Sequence, residues 1–353
     1  MMFRILRQEP LYTLLLFAVL APLAYALHWD ESWVFLLSAL GVIPLAQIIG
    51  ETTEDLAVHV GPRWGGLINA TLGNAAELII TLFAIQRGLL QLVKASITGS
   101  ILGNLLLVLG GAMFVGGLKH GTQRFDRRHV SNSAILTVLA VLAMAIPSMV
   151  SSTIGDLEGR RVEGFSMGVA AVMLVLYGLH LLYNNQHSPP HEPSPEEVAH
   201  ARPIRQALLI LAAATVGVAG LSELLVGSVE HVVRQFGISE FFLGVILIPI
   251  IGNVAEHLVA VQQAARNAMD LSVEIAVASS LQIALFVAPA LVFISWAMGH
   301  PLTLVFHPFE IIALSSAVLV MALASMDGES HWLEGAELLA VYIILALAFF
   351  LLP

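Results

Sequence analysis

The sequence of 353 residues contains no cysteine, which excludes disulfides and thiolate metal sites. Charge is scarce as well. Only 11% of the residues are Asp, Glu, Lys or Arg, whereas soluble domains carry about 25%. No basic patch offers a surface for nucleic acid, and the net charge of −10 is scattered over loops and apolar runs. The period-two alternation of porin strands is missing, which excludes an outer-membrane barrel. No His-x-x-x-His zinc spacing falls inside an apolar run, which argues against an intramembrane metalloenzyme.

What the chain has in abundance is apolar length. Hydrophobic residues make up 58% of it, in runs long enough to cross a bilayer as helices. Eleven spans are predicted, over 11–27, 33–57, 64–86, 95–117, 131–150, 163–183, 204–228, 238–263, 271–298, 308–326 and 333–352. Arg4 and Arg7 precede the first, and no small-residue cleavage site follows it, so it reads as a span rather than a cleaved signal. With the N-terminus in the cytoplasm, ten Lys and Arg fall inside and five outside, the densest group being Lys119 to Arg128. That bias predicts an inside N-terminus and an outside C-terminus.

One segment has linker composition. Residues 184–206 hold Pro189, Pro190, Pro193, Pro195 and Pro203 among His187, His191, His200, Glu192, Glu196 and Glu197. Such sequence packs no core and is expected as a cytoplasmic connector. A solvated hinge and a metal-sensing segment are both compatible with it. The predicted organisation is an extra N-terminal helix over 1–32, a five-helix repeat over 33–183, the linker over 184–206, and a second five-helix repeat over 207–353 that starts near 204.

The repeat is carried by Gly73-Asn74-Ala75-Ala76-Glu77 and Gly252-Asn253-Val254-Ala255-Glu256, 179 residues apart. The same offset pairs Glu51 with Glu230, Gly65 with Gly244 and Ser100 with Ser279. Five spans separate the two motifs, an odd number, so the repeats are expected to be inverted in the membrane.

An ionised carboxylate inside a bilayer is costly and is read as functional by default. Glu77 and Glu256 each need a proton or a cation. Two such carboxyls balance two protons or one divalent cation, which is exchange by competition. Ca²⁺ takes about 6–8 oxygen ligands in flexible geometry. Asn74 and Asn253 lie three positions before the glutamates, on the same helix face, and their amide oxygens are candidate ligands. Gly73 and Gly252, with Pro249 upstream of the latter, are expected to loosen the helices and free carbonyls. Oxygen-only ligation favours a hard cation over Zn²⁺ or Cu²⁺.

A second polar cluster follows each motif: Thr98, Ser100 and Asn104 in the first copy, Ser279, Ser280 and Gln282 in the second. These side chains would complete a cation shell or hold the glutamates by hydrogen bonds. Glu51, Glu54 and Asp55 near the end of the second span, and Glu223 and Glu230 near the end of the seventh, are either gates for cations and protons or ordinary interfacial charge. His257 beside Glu256 is either a participant in proton movement or an interhelical hydrogen-bonding group.

The two Gly-Asn-x-x-Glu segments resemble the signatures of cation/proton exchangers, the Ca²⁺/H⁺ antiporter branch of the Ca²⁺/cation antiporter superfamily. So do Gly99-Ser100-Ile-Leu-Gly-Asn104, Ser279-Ser-Leu-Gln282-Ile-Ala and Asp327-Gly-Glu-Ser-His-Trp-Leu-Glu334-Gly. The resemblance runs from about residue 33 to the end. It implies an all-α polytopic protein of eleven helices, one extra plus two inverted repeats of five. It also implies alternating access, with the first spans of each repeat sliding against a fixed core. Glu77 and Glu256 would be the cation and proton sites, aided by Asn74, Asn253, Ser100, Ser279, Gln282 and Asn104. Glu51 and Glu230 would be peripheral acidic sites. The cargo would be Ca²⁺ and H⁺, with no cofactor; Mn²⁺, Na⁺ or K⁺ as cargo, a Na⁺-coupled exchanger and a cation channel are the alternatives. Two departures stand out. The linker is short, proline-broken and holds three glutamates where many relatives have a strongly acidic helix. No autoinhibitory tail precedes the first span, which suits a prokaryotic plasma membrane better than a vacuole.

Overall fold

The computed structural model describes residues 10–60, 65, 68, 71–154, 159–187 and 201–352. A short 3-10 turn, Pro10–Leu14, leads into α1 (Leu15–Ala26) and α2 (Glu31–Val60). Then follow α3 (Ala75–Gln86), α4 (Leu90–His120), α5 (Arg127–Ile154) and α6 (Arg160–His187). After the inter-repeat segment come α7 (Ile204–Gly227), α8 (Val229–Phe236), α9 (Glu240–Ala265), α10 (Met269–Ala297), α11 (Pro308–Ala324) and α12 (Trp332–Leu351). The only strands among the described residues are β1 (Gln123–Arg124) and β2 (Glu329–Ser330), paired antiparallel.

Among the described residues eight segments are long and apolar enough to cross a bilayer, α7 and α8 counting as one, and three shorter apolar helices bring the set to eleven. The protein is therefore an all-α polytopic membrane protein, and its helices fall on the eleven predicted spans. Leu16, Val172, Val216, Ile312 and Leu347 are each more than half exposed. Large apolar side chains turned outward on so many helices fit a lipid solvent.

One span is interrupted and one boundary differs from prediction. The third span was expected over 64–86; Gly65, Ile68, Thr71 and Leu72 are helical there, a turn falls at Gly73–Asn74, and α3 resumes at Ala75. The sixth helix runs through His187, past the expected linker start at 184. The linker residues 188–200, with most of its prolines and glutamates, lie outside the described residues.

By contacts the chain forms two compact units that do not follow the sequence halves. The first takes Met1–Ala84, Gly178–Glu240 and the short stretch Ile251–Ala255; the second takes the remainder. Within the first unit α2 packs along α7 and α1. Gly41 faces Leu221, and Gly217 faces Leu45; an added Cβ at either glycine would stand 2.9 Å from the leucine methyl. Both pairs, Gly41 with Gly217 and Leu45 with Leu221, are 176 residues apart. α2 and α7 thus each supply a glycine notch and a leucine knob to the other. Below this interlock Ile49, Ala76, Ala214 and Val218 form a buried cluster that seats the start of α3 on α2 and α7.

Within the second unit α4 is central. It contains a π-helical turn, Gly103–Val108, and α10 contains one at the repeat-equivalent place, Ile283–Val287. A third, Leu243–Leu247, lies in α9 just before Pro249. Pro249 has no N–H for the Val245 carbonyl one turn back, and the π turn takes up that break. Gly99 of α4 lies directly against the Val245 carbonyl, and Gly244 of α9 lies against Ala95 and Leu92. On its other side α4 meets α12, where Gly110 and Gly335 bring the two backbones together.

A Cβ at position 335 would stand 2.6 Å from the Gly110 carbonyl oxygen, whereas position 178 is open. Gly335→Val is expected to destabilise the detergent-solubilised protein by about 1–3 kcal/mol through overpacking. Gly178→Val should leave the melting temperature unchanged. Thermal unfolding of both variants checks this.

Candidate cation site

The turn at Gly73–Asn74 determines where Glu77 sits. Because the helix restarts there, Glu77 falls in the first turn of α3, where the helix dipole favours a negative charge. The ladder of α3 begins with Leu78 N–H donating to the Asn74 carbonyl at 3.0 Å. Thr81 turns its hydroxyl back to the carbonyl of Glu77 at 2.8 Å. Glu77 is 3% exposed and Asn74 1%. The Asn253 amide donates to Glu77 Oε1 at 2.6 Å, a bond between the two copies of the repeated motif.

Gly252 does not loosen its helix. α9 is regular from Ile248 to Ala265, and the expected irregularity sits upstream at Leu243–Leu247. The glycine has a steric reason instead. A Cβ there would lie 2.9 Å from Glu77 Cγ, so only glycine leaves room for the glutamate beside Asn253.

Within the second unit Glu256 is half-buried on α9. The Ser279 hydroxyl donates to Glu256 Oε2 at 3.2 Å. Asn104 Nδ2 donates in turn to Ser279 Oγ at 3.0 Å. Ser279 has one proton, so with Asn104 as donor that proton is directed at Glu256. Ser279 is 6% exposed and Asn104 1%. Asn104 lies within the π turn of α4, and Gln282 is the last residue before the π turn of α10. Ser100 is buried on α4, one helical turn before Asn104. His257 follows Glu256, and its Nε2 is buried without a hydrogen-bond partner among the described residues.

The outer carboxylates separate into two kinds. Glu51 is held in a network: Tyr12 Oη–H donates to Oε2 at 2.6 Å and Gln47 to Oε1 at 2.9 Å. Arg202, just before α7, reaches Glu51 at 3.3 Å and Asp55 at 3.0 Å. Burial lowers the Arg202 guanidinium, but Asp55 and Glu51 outweigh it and raise it above the ordinary arginine value. Glu230, at the matching repeat position, is 65% exposed at its side chain and pairs with Arg234 one turn on. Glu54 and Glu223 are exposed on α2 and α7. The repeat therefore equates Glu51 and Glu230 in sequence, and their surroundings differ. No group of three or more His, Cys, Asp or Glu among the described residues is arranged to hold a metal by those side chains alone. Any cation shell has to draw on amide, hydroxyl or carbonyl oxygens.

Sequence patterns missed Glu310, which is fully buried and accepts a hydrogen bond from Thr98 at 2.7 Å. It has no acidic counterpart in the first copy, where Ser131 stands 179 residues earlier. A lone Glu at the head of an apolar run was the available signal.

An all-helical polytopic chain with carboxylates held by amides and hydroxyls inside its apolar helices falls in the class of ion-transporting membrane proteins. The profile of the family described as "Sodium/calcium exchanger protein" matches residues 31–185 and 206–351, so the chain belongs to that family. It is 45% identical to the Ca(2+)/H(+) antiporter of Aphanothece halophytica, over 97% of this chain and 96% of that protein. It is also 45% identical to Ca(2+)/H(+) antiporter ChaA of Bacillus subtilis, over 92% and 94%. The solved structure of native YfkE superposes with a TM-score of 0.86 at 41% identity, covering 97% of this chain and 100% of that one. These relatives bear out the resemblance to calcium/proton antiporters drawn from the motifs.

With Glu77 protonated in the absence of a cation, the Asn253–Glu77 bond is expected to contribute about 0.5–1.5 kcal/mol. Asn253→Ala should lower thermal stability accordingly, and in a Glu77→Leu background, which has no acceptor for the amide, most of that loss should disappear. A double-mutant cycle of unfolding measurements checks it.

Proposed function

We propose that this protein is a Ca²⁺/H⁺ antiporter that uses the proton gradient to expel Ca²⁺ from the cytoplasm. The observation that carries the proposal is the buried Glu77 carboxylate, held by the Asn253 amide, in a chain 45% identical to Ca²⁺/H⁺ antiporters. Ionised and uncompensated, such a group is not tolerated away from water, so it carries a proton or faces a cation. Glu256 has the same requirement, with the Ser279 hydroxyl as its donor. In the cycle, cytoplasmic Ca²⁺ meets deprotonated Glu77 and Glu256, the loaded protein turns outward, protons displace Ca²⁺, and the neutral carboxyls return. An ionised and empty protein does not make the crossing, which enforces exchange. Two carboxyls give at least two protons per Ca²⁺.

Asn74, Asn253, Ser100, Ser279, Gln282 and Asn104 supply neutral oxygens or fix the carboxylates. Glu51, with Arg202 and Tyr12, closes the end of α2 on the segment before α7. The two five-helix repeats, divided at the linker, cross the membrane in opposite senses. The basic segment Lys119 to Arg128 faces a prokaryotic cytoplasm together with the N-terminus.

Everted or reconstituted vesicles with an acidic lumen should take up Ca²⁺. Collapsing the pH gradient should abolish uptake, and Glu77→Gln or Glu256→Gln should reduce it to the level of empty vesicles. Uptake that follows an imposed Na⁺ or K⁺ gradient instead would assign a different coupling ion. Uptake that ignores every counter-gradient would indicate a channel.

A further inference from the structure

Glu310 is a charge that the exchange cycle does not use. It sits in the first turn of α11 and is 0% exposed. Its Oε2 accepts the backbone N–H of His307 at 2.8 Å, half of a capping box that starts the helix. A capping glutamate needs no more than that and usually stays at the surface. Here the other oxygen, Oε1, is turned inward and accepts the Thr98 hydroxyl of α4 at 2.7 Å. Thr98 is also fully buried. One turn earlier on the same face of α4, Lys94 donates its ammonium to the Val305 carbonyl at 2.7 Å, on the segment leading into α11. Lys94 is also close enough to act on the charge of Glu310. The start of α4 is thus tied twice to the start of α11, and a slide or rotation of α4 would break both ties.

What α4 carries beyond these ties is the donor chain to Glu256. Thr98 and Asn104 are six residues apart, about 9 Å along a helix. Between them Gly99 is pressed on the Val245 carbonyl of α9, which braces α4 from another side. The π turn starting at Gly103 then changes the direction of the following side chains. Thr98 can therefore point at α11 while Asn104 points at Ser279 of α10. Asn104 directs the only Ser279 proton to Glu256.

We propose that Glu310 is a positioning residue for ion exchange: through Thr98 it fixes the axial register of α4 that aims Asn104 and Ser279 at Glu256. The proposal rests on Glu256 being an exchanging carboxyl. It adds a requirement that no repeat symmetry demands, because only the first-copy helix α4 is anchored to a buried acid in this way among the described residues.

The test is proton-driven Ca²⁺ uptake by proteoliposomes containing wild type, Thr98→Val, Thr98→Ser, Glu310→Gln or the Thr98→Val/Glu310→Gln pair. Valine keeps the volume of threonine and removes the hydroxyl. Loss of one such bond is expected to raise KM for Ca²⁺ about fivefold to tenfold. The maximal rate at saturating Ca²⁺ should stay near wild type, and the melting temperature should fall modestly because Glu310 Oε1 loses its donor. Thr98→Ser should restore both KM and the melting temperature, and the pair should be no worse than its worse single member. Glu310→Gln can still pair with both Thr98 and His307 and should stay near wild type, and Thr98→Ala provides the same KM reading if Thr98→Val does not accumulate. A wild-type KM in Thr98→Val, or equal impairment of the Val and Ser variants, would overturn the proposal while leaving the antiporter reading intact. Absence of proton-driven uptake by wild type would overturn both.

Discussion

A carboxylate held away from water inside an apolar helix bundle has to be matched by something. That constraint organises the rest of the molecule. At Glu77 the matching is done by the positive start of α3 and by the Asn253 amide. At Glu256 it is done by a hydroxyl whose proton is directed by a second amide. Hydrogen bonds to neutral groups hold a carboxylate in place without cancelling its full charge. The remaining charge is what a proton or a cation can take up, and the competition between them is the proposed basis of exchange.

The backbone features serve the same constraint. Gly73 and Asn74 break the helix so that Glu77 lies at its start. Gly252 leaves room for the glutamate side chain, and Pro249 imposes the π turn that lies against Gly99. Gly110 and Gly335 press α12 onto α4 from another side. Side chains such as Asn104 point correctly only if α4 has one position, and close glycine contacts with a few polar ties supply it. In lipid these contacts are the natural device, because burial of apolar surface does not distinguish helix–helix from helix–lipid contact. Arg202 plays a comparable part in the first unit, where it ties Glu51 and Asp55 of α2 to the chain entering α7.

Much of this was legible in the sequence. Apolar run length located the eleven apolar helical segments found among the described residues, though not the break at Gly73–Asn74, because a bilayer imposes its thickness on the chain. The paired Gly-Asn-x-x-Glu motifs located Glu77, Asn253 and Glu256, because charge in an apolar run is conspicuous. What escaped depends on packing between distant segments. Glu310 is a single acid without a repeat partner, and only the fold places it against Thr98, 212 residues away. The Gly41–Leu221 and Gly217–Leu45 interlock follows an offset of 176, not the 179 of the motifs, so alignment on the acids hides it. The role of Gly252 was misjudged for the same reason. From sequence a glycine in a helix suggests flexibility, and only the neighbouring Glu77 shows that it is there for space.

The most direct test of the central claim is to count protons released when Ca²⁺ binds to the purified protein in weak buffer, using a pH indicator alongside calorimetry. Competition at the carboxylates predicts about two protons per Ca²⁺ under conditions where both groups start protonated. It also predicts Ca²⁺ affinity that weakens as pH falls, and a smaller release in Glu77→Gln. Tight Ca²⁺ binding with no proton release across the pH range would contradict the account.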